Sequence, residues 1–174
     1  MTPNDMTIRQ MTRDELDILV DWAAREGWNP GLGDAEVFWA TDPVGFVAAE
    51  IDGEMIGGGS IVAYEKKYAF IGLFIVRPEY RGRGLGNYLW HELNRRLLAR
   101  LDADAAIGLD GVFNMQDYYA RGGFHFVCRD LRFEGWGMDW KTNKVIGEEP
   151  LLQEPDVRAG IRDVRFGPDG MLSQ

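Results

Sequence analysis

Residues 74–86 read Phe74-Ile-Val-Arg-Pro-Glu-Tyr-Arg-Gly-Arg-Gly-Leu-Gly86 and mark the junction between a predicted strand and a predicted helix. The strand must end by Pro78, which has no amide hydrogen to donate to a sheet. The three glycines let the backbone approach a ligand closely and leave amides unpaired at the positive end of the helix. Helix starts bind anions, and Arg81 and Arg83 add positive charge. The stretch therefore predicts a phosphate-binding loop.

The glycine spacing excludes two familiar nucleotide-binding loops. A Walker loop requires Lys-Ser or Lys-Thr directly after its glycines, and the Lys-Thr pair of this chain lies far downstream, at 141–142. The dinucleotide fingerprint requires Gly-x-Gly-x-x-Gly, whereas this run is Gly82-x-Gly84-x-Gly86. Neither pattern fits the loop.

The sequence around the loop predicts the elements that carry it. Leucines at every fourth position, at 85, 89, 93, 97 and 101, predict a helix of about 17 residues. Upstream, alternating apolar residues predict three successive strands at 45–51, 54–64 and 67–77. Asp52-Gly53 and Glu65-Lys66 provide tight turns between these strands.

The outer parts of the chain add further elements to this centre. Thr12 and Glu15 form a predicted capping box at a helix start, and Asp34 is expected to cap the next helix. The remaining predicted elements are a strand at 7–11, helices at 13–26 and 34–40, a strand at 105–110, a helix at 115–121 and a strand at 124–133. Their order predicts a mixed α/β fold, with a mostly antiparallel sheet and flanking helices.

Composition bounds the class of protein. A chain of 174 residues predicts one compact domain, and a net charge of −9 argues against binding to nucleic acid. The longest uncharged apolar run, Tyr68–Val76, has nine residues, about half the ~20 that cross a bilayer, so no membrane partner is expected. The single Cys128 excludes an intrachain disulfide, and no leader pattern opens the chain. These features predict a cytoplasmic protein.

Charge is unevenly distributed along the chain. Residues 1–54 hold twelve acids and three bases, whereas residues 77–100 hold six arginines and two glutamates. Such a cluster on a helix usually forms a solvated face. Beside a phosphate loop, however, the same arginines are suitable partners for phosphate groups. Both interpretations stay open at this point.

Two motifs together resemble one family. Arg81-x-x-Gly84-x-Gly86 is similar to the pyrophosphate-binding motif of the GNAT family of N-acetyltransferases. Tyr119-Ala-Arg-Gly-Gly123-Phe124 resembles a second signature of that family, at the expected downstream position. The resemblance covers roughly residues 7–135, which divides the chain into a GNAT domain at 1–135 and a tail at 136–174.

Two shorter segments point to a subgroup of that family. Glu26–Gly31 and Leu109–Gly111 resemble segments of a bacterial subgroup whose members often carry a second, C-terminal acetyltransferase-like half. Only 39 residues follow Gly135, so that half is expected to be absent here.

The resemblance implies acetyl-CoA as co-substrate and a sheet whose central strands, here 67–77 and 105–110, splay apart to admit it. The pantetheine arm would then pair with the backbone at Phe74–Val76. The cofactor-binding residues it implies are Phe74, Ile75, Val76, Arg81, Gly82, Arg83, Gly84, Leu85, Gly86, Asn87 and Asn114. Two histidines and one cysteine provide no metal-ligand spacing, so no metal is expected.

The resemblance also implies catalytic residues. Tyr119 matches the tyrosine that stabilises the departing CoA thiolate, with core packing as the alternative role. Many members carry a glutamate base on the central strand, but Tyr68–Phe74 holds no carboxylate. Asp110 is the first substitute, and ordered water is an alternative proton acceptor. Four weaker candidates for the base are Glu50, Glu65, His91 and His125.

In the family, the loop between the first two helices lines the acceptor pocket. Trp28, Asn29, Phe38 and Trp39 are the matching residues here, and the acidity of residues 1–54 suits a cationic amine. Ordinary core packing is the alternative role for the three aromatic residues. The resemblance thus predicts an enzyme that acetylates a primary amine of a small molecule. The alternatives are an acyl-CoA-binding sensor or inactive homologue, and a protein lysine or N-terminal acetyltransferase.

The predicted last strand, 124–133, would leave an open sheet edge. The tail, 136–174, could cover this edge either by folding back on it or by crossing to a second copy of the chain, and crossing in an isologous contact hides both edges at once. We therefore expect a homodimer built through residues 124–155.

Overall fold

The computed structural model describes residues 5–128 and, beyond them, the backbone of four two-residue strands. The chain divides into two compact units, residues 1–109 and residues 110–174. The helices are α1 (Arg13–Arg25), α2 (Asp34–Thr41), α3 (Leu85–Leu98) and α4 (Gln116–Arg121). The strands are β1 (Thr7–Gln10), β2 (Phe46–Ile51), β3 (Glu54–Tyr64), β4 (Tyr68–Val76), β5 (Ala106–Leu109), β6 (Met138–Asp139), β7 (Lys144–Val145), β8 (Arg165–Phe166) and β9 (Leu172–Ser173).

The first unit is built on a five-stranded sheet with strand order β1-β2-β3-β4-β5. Every neighbouring pair is antiparallel except β4 and β5, which are parallel and are joined through α3. The three predicted central strands are confirmed to within one residue at each end. The mixed α/β fold with a mostly antiparallel sheet is therefore confirmed.

Both predicted tight turns adopt left-handed backbone conformations. Asp52 and Gly53 have φ angles of 52° and 82°, and Glu65 and Lys66 have φ angles of 52° and 66°. Two successive positive φ angles match the right-handed twist of the flanking strands. The turns thereby fix the register of β2 on β3 and of β3 on β4.

The helix starts in the first half of the chain were only partly predicted. The capping box is confirmed, because the Glu15 amide donates to Thr12 Oγ1 at 3.3 Å and the Thr12 amide donates to Glu15 Oε2 at 2.8 Å. The prediction that Asp34 caps α2 was wrong, since the cap residue is Gly33. Asp34 is the first helical residue, and its carboxylate accepts instead from the Gly31 amide at 2.8 Å.

Three consecutive glycines in β3 bring both faces of the sheet close to their helices. A Cβ added to Gly58 would lie 2.8 Å from the Met11 side chain and 3.4 Å from Leu19 of α1, and one added to Gly59 would lie 2.7 Å from Leu93 of α3. On Gly57, an added Cβ would meet the carbonyl oxygen of Ile75 at 2.9 Å. Successive strand residues face opposite sides, so α1 and α3 cover opposite faces of the sheet.

Helix α3 is held along its length. Its stripe of fully buried leucines consists of Leu85, Leu89, Leu93 and Leu97. At its far end the Arg100 guanidinium donates to Asp42 Oδ2 at 2.6 Å and to the carbonyl oxygen of Ile61 at 2.9 Å. The helix ends at Leu98, earlier than predicted, because the Asp102 amide turns to the carbonyl oxygen of Lys66 at the β3–β4 turn.

The second unit contains α4, at the predicted position. The prediction of a strand at 124–133 was wrong for residues 124–128, which lie outside the strands of the described part of the chain and where Phe126 and Val127 are exposed. An apolar alternation forms a strand only beside a neighbour that accepts its hydrogen bonds. Residues 129–133 and most of the proposed dimer segment lie outside the described residues. In the described part of the chain, no helix has the length and apolarity to cross a bilayer.

Candidate cofactor and acceptor site

The glycine loop, residues 82–86, adopts backbone conformations that residues with a side chain rarely adopt. Gly82 and Gly84 have φ angles of 74° and 80°, and in the described part of the chain no atom beyond their immediate neighbours lies within 4 Å of where their Cβ atoms would be. Gly84 is also the cap residue of α3, and no side chain caps this helix. The loop therefore presents open backbone at the positive end of a 14-residue helix, which is suited to an anion.

Arg81, just before the loop, and Arg83, within it, differ in their side-chain contacts. Arg81 Nε donates to the carbonyl oxygen of Val76 at 2.7 Å, and Arg81 Nη2 donates to Glu26 Oε1 at 2.5 Å. The Arg83 guanidinium lies over the Tyr80 ring, 5.8 Å from the ring centroid. Arg81 therefore braces the loop against β4 and α1, while Arg83 remains on the loop itself.

The other arginines of residues 77–100 form ion pairs that hold the fold. Arg77 pairs with Glu54 and Glu79 at the start of β3 and after β4. Arg95 and Arg96 both pair with Glu92, and these guanidinium groups lower the pKa of that carboxyl to about 2. The solvated-face interpretation thus fits Arg95, whose side chain is 68% exposed, and Arg77 and Arg96 are engaged with carboxylates of the fold.

Strand β4 changes its environment halfway along. Its ladder with β5 ends at the pair Ile71 and Leu109, whereas its ladder with β3 continues to Val76. An extra residue enters β4 where the pairing shifts from Gly72 to Ile75, and Leu73 within this bulge has a φ of 48°. Residues 72–76 therefore have a strand on one side only in the five-stranded sheet. The predicted pantetheine contacts at Phe74–Val76 fall in this half.

The three aromatic candidates for the acceptor pocket lie against the hydrophobic core. Trp28, Phe38 and Trp39 are half-buried and pack on the same hydrophobic cluster as Leu73. Trp39 also stacks on Phe46, with ring centroids 5.9 Å apart. The aromatic residues therefore fill the packing role that was the alternative, and they still expose part of each ring. Leu73 of the β4 bulge and these three aromatic residues thus pack on one core cluster.

Asn29 and the carboxylates of this region also have defined positions. Asn29 is exposed, with a φ of 45°. Glu26 pairs with Arg81, and the buried Asp42 accepts from Arg100 and from the Ala63 amide at 2.9 Å. Because these carboxylates already face guanidinium groups, the acidity of residues 1–54 offers less charge to a cationic amine than the sequence suggested.

The remaining predicted site residues belong to the second unit. Tyr119 lies on α4, where burial raises the pKa of its hydroxyl to about 12, and the Tyr118 ring meets it edge-on at 5.7 Å. The hydroxyl is therefore protonated at neutral pH and can donate a hydrogen bond. Asp110 directly follows β5, and Asn114 lies in the short 3-10 turn Phe113–Met115.

The weaker candidates for a base lie elsewhere. Glu50 accepts from Arg9 Nε at 2.7 Å on β2, and Glu65 occupies the turn between β3 and β4. His91 on α3 and His125 after α4 are exposed. None of the four lies on the one-sided half of β4. Within residues 5–128, no group of three His, Cys, Asp or Glu side chains could hold a metal ion.

Two features of the site were missed from the sequence. The bulge at Leu73 has no sequence signal, because a leucine rarely adopts a positive φ and nothing in its side chain favours one. The role of Glu26 had a signal, since it opens the segment Glu26–Gly31 that carries part of the family resemblance. Its pairing across 55 residues with Arg81 could not be read from the sequence.

Comparisons with known proteins agree on the family. The sequence model of the acetyltransferase (GNAT) family matches residues 11–124, which include the glycine loop and Tyr119. Holothin acyltransferase of Pseudoalteromonas is 34% identical over 118 residues, covering 68% of this chain and 38% of that protein. An acetyltransferase of Pectobacterium atrosepticum is 30% identical over 120 residues, covering 60% of this chain and 83% of that protein.

Solved structures agree on the fold. Ard1 from Thermoplasma volcanium has a TM-score of 0.60 at 17% identity, covering 72% of this chain and 86% of that one. N-acetylglutamate synthase from Neisseria gonorrhoeae, complexed with coenzyme A and N-acetyl-glutamate, has a TM-score of 0.55 at 17% identity. That likeness covers 71% of this chain and 29% of the synthase.

Proposed function

Because the chain belongs to the acetyltransferase (GNAT) family, we propose that it transfers an acetyl group from acetyl-CoA to a primary amine of a small molecule. One observation carries this proposal. The uncapped start of α3, with its open glycine loop, directly follows the half of β4 that has a strand on one side only. A phosphate site and an extended polar arm site are thereby continuous along the chain.

In this proposal the pyrophosphate of acetyl-CoA accepts hydrogen bonds from the amides at 82–87, and Arg83 adds charge beside them. A helix end stabilises an anion by about 0.3–1 kcal/mol when exposed and by up to ~2 kcal/mol when partly buried. Several amides must therefore act together. The pantetheine arm lies along Phe74–Val76, on the side of β4 where the ladder with β5 has ended. The amide groups of the arm pair there with the backbone of β4, and Asn114 is a further candidate contact.

Acetyl transfer then proceeds by direct attack. The lone pair of the neutral amine adds to the thioester carbon, the carbon–sulfur bond breaks, and the sulfur leaves as a thiolate. The Tyr119 hydroxyl stabilises that thiolate. With a pKa of about 12, against ~8.5 for a thiol, complete transfer of its proton would be unfavourable by about 5 kcal/mol. Hydrogen-bond donation is therefore its proposed role.

The amine must lose a proton during the reaction. Asp110 remains our first candidate to accept it, directly or through water, because it follows β5 at the end of the short ladder with β4. An amine that is neutral at the working pH would release the proton to water after attack. The half-buried aromatic residues Trp28, Phe38 and Trp39 favour an acceptor with an apolar body.

A second candidate function is supported by one observation. No carboxylate is present on Tyr68–Val76, the strand on which many members of the family carry the catalytic base. An acyl-CoA-binding sensor would retain the glycine loop and lack turnover. A protein acetyltransferase remains the alternative for the acceptor, and a peptide carrying lysine belongs in the same assay.

Three further proposals concern context. The chain spans 38% of holothin acyltransferase and 20% of a second relative, from Caenorhabditis elegans. Membership of the subgroup whose members often carry a second half rests on the segments Glu26–Gly31 and Leu109–Gly111. A cytoplasmic location rests on the single cysteine, Cys128. The homodimer through residues 124–155 is tested by light scattering, where a monomer of 19.7 kDa at micromolar concentration would exclude it.

The proposed function is tested in two steps. Calorimetry with CoA and acetyl-CoA should detect binding, and thiol release should then be followed over a panel of aliphatic amines, aromatic amines and lysine peptides. Turnover with a small amine supports the enzyme. Binding without turnover over the whole panel supports the sensor, and absence of binding contradicts both.

A further inference from the structure

We propose that Arg81 is a positioning residue that couples cofactor binding at the glycine loop to residues 26–33, through its ion pair with Glu26. We call residues 26–33 the α1–α2 segment. This inference rests on the proposed function, because it assumes that CoA binds the glycine loop. It assigns Arg81 a role other than contact with phosphate.

Arg81 connects three parts of the first unit. Its backbone enters the glycine loop at Gly82, its Nε donates to Val76 at the end of β4, and its Nη2 donates to Glu26 at the end of α1. The guanidinium is thus divided between a backbone acceptor and a carboxylate. Both partners lie outside the loop, so the group faces the scaffold.

Glu26 is well placed to transmit an effect. It is the cap residue at the end of α1, and its amide donates to the carbonyl oxygen of Trp22 at 2.9 Å. The segment continues with Gly27 and Trp28, whose amides also return to carbonyl groups of α1. At its other end the Gly31 amide is held by Asp34. The backbone of residues 26–28 is therefore tied to the end of α1, and the Glu26 side chain connects this backbone to Arg81.

The physical basis of the coupling is the fixing of Arg81. A bound pyrophosphate holds the backbone of 82–86, which fixes the backbone of the adjoining Arg81 and narrows the range of its side chain. The Arg81 and Glu26 side chains are 46% and 32% exposed, and ion pairs of this kind shift an equilibrium by up to about five-fold. CoA should therefore slow opening of the α1–α2 segment by a few-fold.

The competing role is direct contact between Arg81 and phosphate. That role requires the guanidinium to leave Glu26, so removing the Glu26 charge would free it and strengthen CoA binding. A positioning role predicts the opposite pattern. Glu26→Gln would then leave CoA affinity within about two-fold and abolish the coupling, since an exposed pair contributes little to the site itself.

Hydrogen exchange measured by mass spectrometry tests the proposal without an acceptor. Exchange of a peptide covering 26–33 is compared with and without saturating CoA in the wild type, Glu26→Gln, Arg81→Gln and the double variant. Asp21→Asn is the matched control, because it removes an α1 ion pair, with Arg25, that does not reach the loop. Calorimetry with CoA accompanies each variant to establish saturation.

We expect CoA to slow exchange of 26–33 a few-fold in the wild type and in Asp21→Asn. The effect should be lost in Glu26→Gln and in Arg81→Gln, and the double variant should match the single ones, because both remove one interaction. Protection that persists in Glu26→Gln, or tighter CoA binding by that variant, overturns the proposal. So does a wild type that binds CoA without protecting 26–33. A wild type that binds no CoA overturns the proposed function as well.

Discussion

Helices α1 and α3 begin in opposite ways. At the start of α1, Thr12 and Glu15 occupy the first amides with their own oxygen atoms, and Arg9 balances the carboxylate at 2.6 Å. At the start of α3, Gly84 has no side chain, and the backbone curves through positive φ angles into open space. The start of α1 is capped by side chains of the protein, whereas the start of α3 has no side-chain cap at Gly84 and is open to a ligand.

The two helix starts differ in their capacity to bind an external anion. A helix start that carries its own anion stabilises the fold, and one that lacks a cap can receive an anion from outside. The start of α2 shows that a glycine cap alone is insufficient. Gly33 has no side-chain cap either, but its φ is −102° and it leads into the carboxylate of Asp34, which would repel a phosphate.

The largest expected effect breaks the open helix start. Gly84→Val should weaken CoA binding by at least about 100-fold, or about 2.7 kcal/mol, because the side chain fills the space that a ligand needs. The positive φ adds a strain of about 1–2 kcal/mol. Calorimetry on the folded variant measures the affinity.

Gly53→Val is the matched control for this substitution. Gly53 has a φ of 82° and open space around its Cβ position, as Gly84 does, but it lies in the β2–β3 turn. The melting temperature should fall by a similar amount in both variants, about 2–8 °C. Equal CoA affinity in the two variants would contradict the assignment of the loop.

Tyr119→Phe separates cofactor binding at the open helix start from the chemical step. The variant should keep its affinity for acetyl-CoA and lose turnover by roughly 10- to 150-fold, the value of one hydrogen bond to a charged group at about 1.5–3 kcal/mol. Single-turnover kinetics provide the measurement. A variant that reacts at the wild-type rate would return Tyr119 to a packing role.

The completed start of α1 should be visible in acid. Hydrogen bonds from Arg9, and then from Thr12, lower the pKa of Glu15 to about 2 despite its partial burial. A lowered pKa gives stability that is present above the unfolded value, near 4.3, and is lost as the pH falls towards 2. Glu15→Gln should flatten the stability profile between pH 5 and 2 by about 1–2 kcal/mol. Denaturant melts at several pH values measure this, and an unchanged slope would contradict it.

The smallest effect concerns the other half of the same capping box. Thr12→Ala should destabilise the protein by about 1 kcal/mol, or about 2–4 °C, because one amide of α1 loses its acceptor. CoA affinity should stay unchanged. A loss of affinity here would show that the two helix starts are not independent.

Much of the fold could be predicted because its signals are local. The Thr12 and Glu15 pair, the two tight turns and the leucine stripe of α3 each depend on residues a few positions apart. The prediction of a strand at 124–133 was wrong for residues 124–128. An alternating pattern indicates which face of a strand would be apolar, but it does not show that a neighbouring strand is there to pair with it.

The candidate site was predicted less completely, for a physical reason. The glycine loop has a local signature, but the partners of its arginines depend on which distant carboxylates the fold brings near. Glu26 meets Arg81, and Asp42 meets Arg100, across more than fifty residues in each case. Six arginines that resembled one phosphate surface were thereby divided between the fold and the loop.

The three glycines of β3 have a consequence for mutational tolerance. In a library that samples every substitution, Gly57 and Gly58 should accept almost no replacement, because even an alanine Cβ would lie 2.9 Å from the backbone oxygen of Ile75 or Val47. Gly59 should be more tolerant, since its close neighbour is the end of the Leu93 side chain. Gly84 should be as intolerant as Gly57 and Gly58 in a screen for activity, yet it has no atom near its Cβ position. A screen for folded protein alone should separate the two sets, since it depletes substitutions in β3 and tolerates many at the loop. The most restricted positions of the chain therefore include positions where close packing within the sheet, rather than ligand binding, sets the restriction.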